Sequence, residues 1–358
     1  MDIERQEAKN ILIVKLSAIG DVVHTLPSLA AMREMCPTAH ITWVVEEASA
    51  DLITDHPALD RLIVFRRKRW IENVRRRENM GGTVSDILKF IRELRERRYD
   101  VVIDFHGLFK SSLVVLLSGA RRKLGYDSMQ ELSGLFLNEK IVEDMGKHAV
   151  DRYLDFVRYL GGKVGTPEFL IPVTTENKKN IERLLKANNV DMSERFVAVN
   201  PVAYWDTKLW DNDKFARLCD RIVTELQHKV VFTGSKDDDT IDHIRKQMTQ
   251  PAVSVEGRTT LRDLAHLYTL SSALITTDSG PMHIAAAVNT PTVALFGPTD
   301  PARTGPYGKG HRVVRKELDC SPCFLKRCAT MRCMKEISPD EVFDAVRKTI
   351  RTAEGGQT

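Results

Sequence analysis

Short runs of β-branched and other apolar residues alternate with amphipathic helical stretches through most of this 358-residue chain. In the first half, the pattern predicts strand 11–16, helix 22–35, strand 41–45, strand 62–65, helix 83–98 and strand 101–105. Thr83 followed by Asp86 predicts a capping box at the start of the second helix. Strands that alternate with helices are typical of an α/β fold built on parallel sheets.

The alternation begins again after "EFLIPVTTEN" (168–177), a stretch that contains Pro172 and is typical of a connector. The elements expected beyond it are helix 176–189, strand 196–200, helix 212–227, strand 229–233, helix 261–271, strand 273–277, a helix after Pro281, and strand 292–296. A last helix is expected from Ser338-Pro339 to about Arg351, because serine can cap a helix and proline suits its first position. The sequence therefore predicts two successive parallel α/β sheets, with a boundary near residue 172 and strand-end loops that face a central cleft.

Composition and charge exclude several classes of protein. The chain is 42% apolar and 28% charged, which is ordinary for a soluble globular protein. No apolar run approaches the roughly 18 residues that span a bilayer, and the polar start "MDIERQEAKN" lacks the apolar region of a secretory signal. A net charge of +4 is too small to imply nucleic acid by itself. We therefore expect a cytoplasmic protein with no nucleic-acid partner.

Positive charge is concentrated between Arg61 and Arg77. The stretch "FRRKRW" (65–70) is typical of a solvated basic loop. Together with Trp70 and the later arginines, the same run would suit a phosphorylated or carboxylated partner, because guanidinium groups bind such anions through two hydrogen bonds. Both interpretations stay open, since the run follows a predicted strand end.

The segment "TTDSGPMHIAAAVNTPTVALFGPTDP" (276–301) predicts a strand that turns sharply into a helix at Pro281. Proline at the first helical position leaves the next backbone N–H groups free, and with the helix dipole they form a site for a phosphate or diphosphate. In the alternative interpretation, Asp278 or Ser279 caps those donors itself. The following turn "FGPTDP" is a second strand end, so two loops are expected to converge there.

The stretch "KLSAIGDVVHTLP" (15–27) covers the turn after the first predicted strand. No G-x-G-x-x-G follows that strand and no P-loop motif occurs in the chain, which argues against a dinucleotide oxidoreductase and a P-loop enzyme. Asp21 either complements the dipole of the helix that begins there or accepts a proton from a hydroxyl nucleophile. His24, one turn further on, is expected to pack or hydrogen-bond at the cleft wall rather than to catalyse.

Four cysteines near the carboxyl end follow the spacing C-x2-C-x4-C-x4-C. They are Cys320, Cys323, Cys328 and Cys333. In a cytoplasmic chain, four thiols this close together indicate a small structural zinc site more than disulfides. Reduced structural thiols are the alternative.

Several motifs together resemble one family. They are "KLSAIGDVVHTLPSL", "ITWVVEEASADLI", "YDVVIDFHGLFKSSLV", "TTDSGPMHIAAA" and "ALFGPTDPARTGPYG", in this order along the chain. The family is that of the lipopolysaccharide heptosyltransferases, glycosyltransferase family nine. The resemblance implies a GT-B fold of two Rossmann-like domains: an acceptor-binding domain over 1–172, a nucleotide-sugar-binding domain over 173–335, and a helix and tail over 336–358 that cross back to the first domain.

The same resemblance implies transfer of L-glycero-D-manno-heptose from ADP-heptose, with inversion and with no metal required for catalysis. "WVVEE" and "RRKRW" most resemble heptosyltransferase I, whose acceptor is Kdo-bearing lipid A, whereas the cysteine segment is more similar to heptosyltransferase II or to other members that extend a heptosylated core. The expected location is then peripheral, at the inner face of the inner membrane. A nucleotide-sugar 2-epimerase of the same architecture and a zinc-bearing binding module are the alternatives.

The resemblance also implies roles for individual residues. Asp21 matches the general base of the family. Donor-binding residues implied by the matching motifs are Lys208, Asp238, Asp278, Ser279, Gly280, Met282, His283, Thr299 and Asp300. Asp238 is chosen from "GSKDDD", in which Asp237 and Asp239 are the alternatives. Expected acceptor contacts are Gly20, His24, Arg66, Arg67, Lys68 and Arg69, because Kdo carboxylates and lipid A phosphates are anions.

Overall fold

A computed structural model describes residues 8–128, 133–236 and 238–355 of the chain. By its internal contacts the chain divides into two compact units, Met1–Pro172 and Val173–Thr358. Each unit contains one six-stranded sheet in which neighbouring strands pair in parallel. None of the helices in the described ranges is long and apolar enough to cross a membrane. The predicted α/β class with two parallel sheets is confirmed, and the substrate roles of the two units stay predictions.

The described residues of the first unit form six strands and six helices. Its strands are β1 (Asn10–Val14), β2 (His40–Glu46), β3 (Arg61–Phe65), β4 (Val101–Asp104), β5 (Arg122–Tyr126) and β6 (Glu139–Ile141). Its helices are α1 (Ile19–Met35), α2 (Glu47–Ala50), α3 (Arg67–Arg76), α4 (Met80–Arg95), α5 (Phe109–Leu117) and α6 (Ala149–Tyr159), with a 3-10 turn at Ser133–Phe136. The strand order is β3-β2-β1-β4-β5-β6. Apolar residues of the strands, such as Val44 and Val102, pack against Phe90 of α4 and Val114 of α5 in one core.

Two expectations for the first unit were wrong. Helix α4 begins at Met80, so Thr83 lies inside the helix, where its hydroxyl oxygen accepts a hydrogen bond from Asn73 Nδ2 at 2.9 Å and caps nothing. The basic run after Phe65 is the start of helix α3 rather than a loop. Trp70 stabilises this helix. Its ring is buried and packs edge-on against Phe65 and Phe90, with centroid distances of 5.4 and 5.6 Å.

The second unit repeats the same plan. Its strands are β7 (Phe196–Asn200), β8 (Lys229–Phe232), β9 (Val253–Ser254), β10 (Ala273–Thr277), β11 (Thr292–Phe296) and β12 (Arg312–Arg315). Its helices are α7 (Thr175–Ala187), α8 (Asn212–Leu226), α9 (Thr240–Gln247), α10 (Leu261–Leu270), α11 (Gly280–Ala287), α12 (Pro301–Thr304), α13 (Arg332–Lys335) and α14 (Pro339–Gly355), with a 3-10 turn at Asp206–Lys208. The strand order is β12-β11-β10-β7-β8-β9. The strands predicted at 196–200, 273–277 and 292–296 match β7, β10 and β11.

Helix α14 begins where the sequence predicts. Glu341 N donates to Ser338 Oγ at 3.3 Å, and Ser338 N donates back to Glu341 Oε2 at 2.8 Å, which satisfies two donors at the helix start. The helix packs against α8 and against strands β10, β11 and β12 of its own unit. Its buried residues Val342, Phe343 and Val346 belong to the core of the second unit.

Both sheets have the strand order of doubly wound folds. In such a sheet, ligands bind beyond the carboxyl ends of the two central strands, where the chain leaves in opposite directions and the loops leave a crevice. The two central strands are β1 and β4 in the first unit and β7 and β10 in the second. The candidate residues Asp21, Lys208 and Asp278 all follow one of these strands.

Candidate active site

In the first unit, Asp21 lies in the first turn of helix α1, after strand β1. Its Oδ2 accepts a hydrogen bond from the backbone N–H of Ala18 at 3.2 Å and lies 3.8 Å from Nζ of Lys15. Its side chain nevertheless stays 40% exposed. The carboxylate therefore supports the helix start and remains accessible to a substrate, so its two predicted roles are compatible.

Lys15 is the buried partner of Asp21 and was missed by the sequence analysis. Its ammonium donates hydrogen bonds to the backbone oxygen of Phe105 at 2.9 Å and to Tyr153 Oη at 2.6 Å. Burial lowers the pKa of Lys15, and the nearby Asp21 carboxylate opposes that shift. Burial also raises the pKa of Tyr153 well above its usual value, so the phenol stays neutral and accepts from Lys15. The available sequence signal was a lysine inside the apolar run "ILIVKL".

The turn after β4 is fixed by Asp104. Its carboxylate is fully buried and accepts hydrogen bonds from His106 N at 2.9 Å, Gly107 N at 3.1 Å and Ser111 Oγ at 2.9 Å. Burial raises the pKa of Asp104 to about 6, although these donors act against that shift. The same turn contains the backbone oxygen of Phe105, which accepts a hydrogen bond from Lys15 Nζ, so Asp104 helps to position the lysine.

A second polar cluster lies beside this turn. The Lys110 ammonium donates to Ser17 Oγ and to Glu46 Oε1, both at 2.8 Å. Arg67 Nε lies 3.7 Å from the same Glu46 oxygen, which is buried at the end of β2. The structure thus brings Arg67 of the predicted acceptor set together with two residues that the sequence analysis did not single out, Lys110 and Glu46.

The other predicted acceptor residues are spread along α1 and α3. Arg66 is exposed, with Nε 3.3 Å from Glu47 Oε1, and Lys68 and Arg69 are exposed in the first turn of α3. Gly20 is buried next to Asp21. His24 is also buried, and its ring packs edge-on against the ring of His148 at 5.2 Å between centroids.

In the second unit, Lys208 and Asp278 meet where β7 and β10 end. Nζ of Lys208 lies 2.6 Å from Asp278 Oδ2, and Thr299 Oγ1 donates to the same oxygen at 2.6 Å. Asp278 and Thr299 are buried, whereas the Lys208 side chain is 16% exposed. The Lys208 ammonium also lies over the Trp205 ring, 4.6 Å from its centroid. The ammonium is therefore held in one place by Asp278 and Trp205, on a side chain that is only partly buried.

Helix α11 begins at Gly280 without a side-chain cap. The Ser279 hydroxyl makes no capping hydrogen bond, and only its backbone oxygen accepts from Met282 N, at 3.1 Å. The Asp278 oxygen Oδ2 is occupied by Lys208 and Thr299 instead. The capping alternative is therefore wrong for this helix, and its N-terminus, the positive end of the helix dipole, carries no side-chain cap.

Two further members of the predicted donor set are buried in α11. Met282 packs against Ala294 and Phe296 of strand β11, so its side chain belongs to a small apolar cluster. His283, the next residue in the sequence, is also buried.

Two of the predicted acidic loop residues accept backbone hydrogen bonds at the starts of short helices. Asp300 Oδ1 accepts from Ala302 N at 2.9 Å at the start of α12, and Asp238 Oδ1 accepts from Thr240 N at 2.9 Å at the start of α9. Asp239 Oδ2 lies 3.6 Å from His243 Nδ1. Asp237 lies outside the described residues.

A comparison with protein families matches residues 87–334 to the model of glycosyltransferase family 9, the heptosyltransferases. The chain belongs to glycosyltransferase family 9. The resemblance inferred from the motifs is confirmed, and the chain is a glycosyltransferase. This sets aside the epimerase and the zinc-bearing binding module as primary functions.

Known relatives of this family 9 chain agree with the assignment. It is 29% identical to lipopolysaccharide heptosyltransferase 1 of Pseudomonas aeruginosa over 330 residues, which cover 89% of this chain and 87% of that protein. Its fold matches the glycosyl transferase family 9 structure from Veillonella parvula with a TM-score of 0.82 and 23% identity, covering 98% and 99% of the two chains. It also matches the structure of E. coli heptosyltransferase WaaC with ADP, with a TM-score of 0.76 and 24% identity over 95% and 99% of the chains.

The cysteines of the family 9 chain differ in their surroundings. Cys320 and Cys328 are exposed, Cys323 is partly buried and Cys333 is buried. Within the described ranges, no three His, Cys, Asp or Glu side chains are arranged to hold a metal ion. Hydrogen bonds, first of all from Met331 N, lower the pKa of Cys328, whereas burial raises the pKa of Cys333. A zinc ion would require the thiols to move together, so the zinc site stays a prediction.

Proposed function

We propose that this glycosyltransferase moves L-glycero-D-manno-heptose from ADP-heptose to Kdo-bearing lipid A, as a heptosyltransferase I. The observation that carries the proposal is the exposed carboxylate of Asp21 beside the buried ammonium of Lys15, at the carboxyl end of β1. The lipopolysaccharide heptosyltransferase 1 relatives support the substrate class.

The donor diphosphate binds the second unit in this proposal. The N-terminus of α11, which has no side-chain cap, offers the positive end of its helix dipole, and Lys208 adds a positive charge whose position is fixed by Asp278 and Thr299. Negative charge develops on the diphosphate as ADP leaves, so a dipole and a cation that are already in place stabilise the transition state more than the bound donor.

The acceptor hydroxyl is activated by Asp21. The hydroxyl oxygen forms a bond to the anomeric carbon, its proton passes to the Asp21 carboxylate, and the bond from that carbon to the diphosphate oxygen breaks with its electron pair leaving on ADP. Attack opposite to the leaving group inverts the anomeric configuration. Lys15 acts as a positioning residue, because its ammonium lies 3.8 Å from Asp21 and is itself fixed by Phe105 and Tyr153.

Recognition of the acceptor rests on charge. Arg66, Arg67, Lys68 and Arg69 precede or begin α3, and Lys110 lies across Glu46 from Arg67. These cations match the carboxylates of Kdo and the phosphates of lipid A. Since such an acceptor is anchored in lipid, the proposed enzyme acts as a peripheral protein at the inner face of the inner membrane.

An assay of ADP release tests the proposal. With ADP-heptose we expect release only when a Kdo-lipid A acceptor is added, no loss of rate with a chelator, and inverted configuration at the new glycosidic bond by NMR. Release that is independent of acceptor, or a product with retained configuration, would contradict the proposal.

A further inference from the structure

Helices α3, α4 and α5 present apolar side chains on the side that faces away from their sheet. Their inner residues, such as Trp70, Phe90 and Val114, belong to the core over β1, β2 and β4, and α4 contacts both α3 and α5. Their outer apolar residues, each 42 to 58% exposed, are Ile71, Val74, Met80, Val84, Leu88, Phe109, Leu113 and Leu116. We call these eight residues the α3–α5 face.

The spacing of these residues places them in rows along their helices, so they are grouped and not isolated. Phe109, Leu113 and Leu116 are separated by four and three residues and therefore share one line along α5. Val84 and Leu88 share a line along α4 in the same way. Single exposed apolar residues are normal on proteins, whereas grouped ones mark an interaction surface.

The same helices concentrate positive charge. Residues 66–95 contain ten Lys and Arg against four Asp and Glu, a net charge of +6, while the whole chain has +4. The Arg76 guanidinium lies 2.6 Å from Glu72. Lys68, Arg69, Arg75, Arg77 and Arg92 form no ion pair with the described part of the chain. The face is therefore both apolar and cationic.

From this combination we infer that the α3–α5 face docks on an anionic lipid bilayer, with its apolar side chains in the headgroup region and its arginines on lipid phosphates. Apolar side chains mixed with Lys and Arg are what a helix lying in a membrane interface presents. A second copy of the chain is disfavoured as the occupant, because a symmetric contact would set the same cations against each other.

The position of the face deepens the proposed function, on which this part of the inference rests. Lys110 follows Phe109 directly, and Arg67 begins α3, so the face adjoins the Lys110–Glu46–Arg67 cluster within the first unit. A bilayer under α3 to α5 would hold a lipid-anchored acceptor with its sugar toward that cluster. Membrane binding itself requires neither acceptor nor turnover, so it is tested separately.

The test is sedimentation of the full chain with vesicles of phosphatidylcholine, with or without phosphatidylglycerol. We expect binding to the anionic vesicles at low salt that weakens as salt is added and is at least about tenfold weaker without the anionic lipid. The triple variant Ile71→Ser/Leu88→Ser/Leu113→Ser should lose at least about tenfold in binding. The charge variant Arg75→Glu/Arg77→Glu/Arg92→Glu should lose at least as much.

Three controls separate docking by this face from a general loss of exposed apolar side chains, from catalysis and from folding. The variant Val142→Ser/Met192→Ser removes apolar side chains that are 78% and 49% exposed but lie outside the face, and it should bind as the unchanged chain does. ADP release with a water-soluble Kdo acceptor that lacks acyl chains should be equal in the triple variant and the unchanged chain. Circular dichroism confirms that each variant is folded.

Three results would overturn the inference. One is the absence of binding to anionic vesicles by the unchanged chain. Another is an equal loss of binding in the triple variant and in the Val142/Met192 control. The third is self-association in light scattering that disappears in the triple variant while vesicle binding is unaffected, because the face would then bind a second copy.

Discussion

The Lys208 ammonium lies 2.6 Å from the Asp278 carboxylate, at the point where β7 and β10 end side by side. Strand pairing creates this contact, because β10 is the immediate parallel neighbour of β7. Asp278 is buried and its carboxylate also accepts a hydrogen bond from the Thr299 hydroxyl, so the lysine is fixed from one side. A cation held in this way needs little reorganisation to receive a diphosphate.

Lys208→Met should weaken ADP binding by at least about tenfold, because a charge-assisted contact to phosphate is lost. Isothermal titration calorimetry of ADP gives the measurement. Lys214→Met is the matched control, because Lys214 also forms an ion pair in the second unit, with Nζ 3.0 Å from Asp211 Oδ2, but lies in the first turn of helix α8. Equal ADP affinity in Lys208→Met and Lys214→Met would remove Lys208 from the donor site.

Asp21→Asn should lower kcat by about 100-fold or more and leave ADP affinity nearly intact, because the amide keeps the shape but cannot take the acceptor proton. Steady-state kinetics with saturating donor, together with ADP titration, separate the two effects. Glu34→Gln, an exposed carboxylate change on the same helix, is the control and should be neutral. Full activity of Asp21→Asn would show that another group takes the proton.

Lys15→Met should reduce kcat while changing ADP affinity little, because it removes the ammonium that lies 3.8 Å from Asp21. It also leaves Tyr153 Oη and the Phe105 oxygen without their donor, so the free energy of unfolding should fall by about 1–3 kcal/mol. Tyr153→Phe keeps the ion pair and removes one hydrogen bond, and it should retain most of the activity. If Tyr153→Phe lowers kcat as much as Lys15→Met, the effect comes from packing and not from the charge at Asp21.

Stability of the first unit should depend on pH through His56. Its imidazole is 4% exposed and Nδ1 accepts from Ala58 N at 3.1 Å, and burial lowers its pKa to about 4. Between pH 6.5 and 4 the unfolded chain binds a proton that the native imidazole does not, so the free energy of unfolding falls as the pH falls through this window. His56 alone changes the free energy of unfolding by up to about 1.4 kcal/mol per pH unit.

Urea unfolding between pH 7 and pH 5 measures that slope for the unchanged chain and for His56→Asn, which retains an acceptor but does not titrate. The variant should lose less stability on acidification. Parallel pH dependences would show that His56 does not contribute.

The cysteine segment is expected to bind zinc, although the thiols are not arranged around a metal position in the described chain. Elemental analysis of protein purified without added metal should give about one zinc per chain. Cys320→Ser/Cys328→Ser should lose that zinc, whereas Cys36→Ser/Cys219→Ser changes two buried thiols elsewhere and should keep it. Less than a tenth of an equivalent of zinc or iron in the unchanged protein would reject the site.

The architecture was accessible from the sequence because strands such as β10 and β11 are compact apolar runs bounded by turn residues. Helix α3 could not be predicted, because Trp70 is its one buried residue and its many arginines leave no apolar periodicity. Strand β6 could not be predicted either, because it has three residues, two of them charged. Local pattern cannot reveal an element whose stability comes from its neighbours.

The candidate site was accessible only in part. Asp21 and Asp278 could be singled out because each follows a predicted strand end, whereas Lys208 was implied only by the resemblance to the family. The contact between Lys208 and Asp278 could not be read from the sequence, since it depends on which strands are neighbours. The same holds for Lys15, whose partner Tyr153 lies on α6 and is brought close only by the packing of α6 against α1.

The most direct test of the central claim is mass spectrometry of the products formed from ADP-heptose when Kdo-lipid A and a mono-heptosylated acceptor are offered side by side. We predict that one heptose is added to Kdo-lipid A and that the reaction disappears in Asp21→Asn. Addition to the heptosylated acceptor alone, or to neither, would contradict the claim that this chain is a heptosyltransferase I.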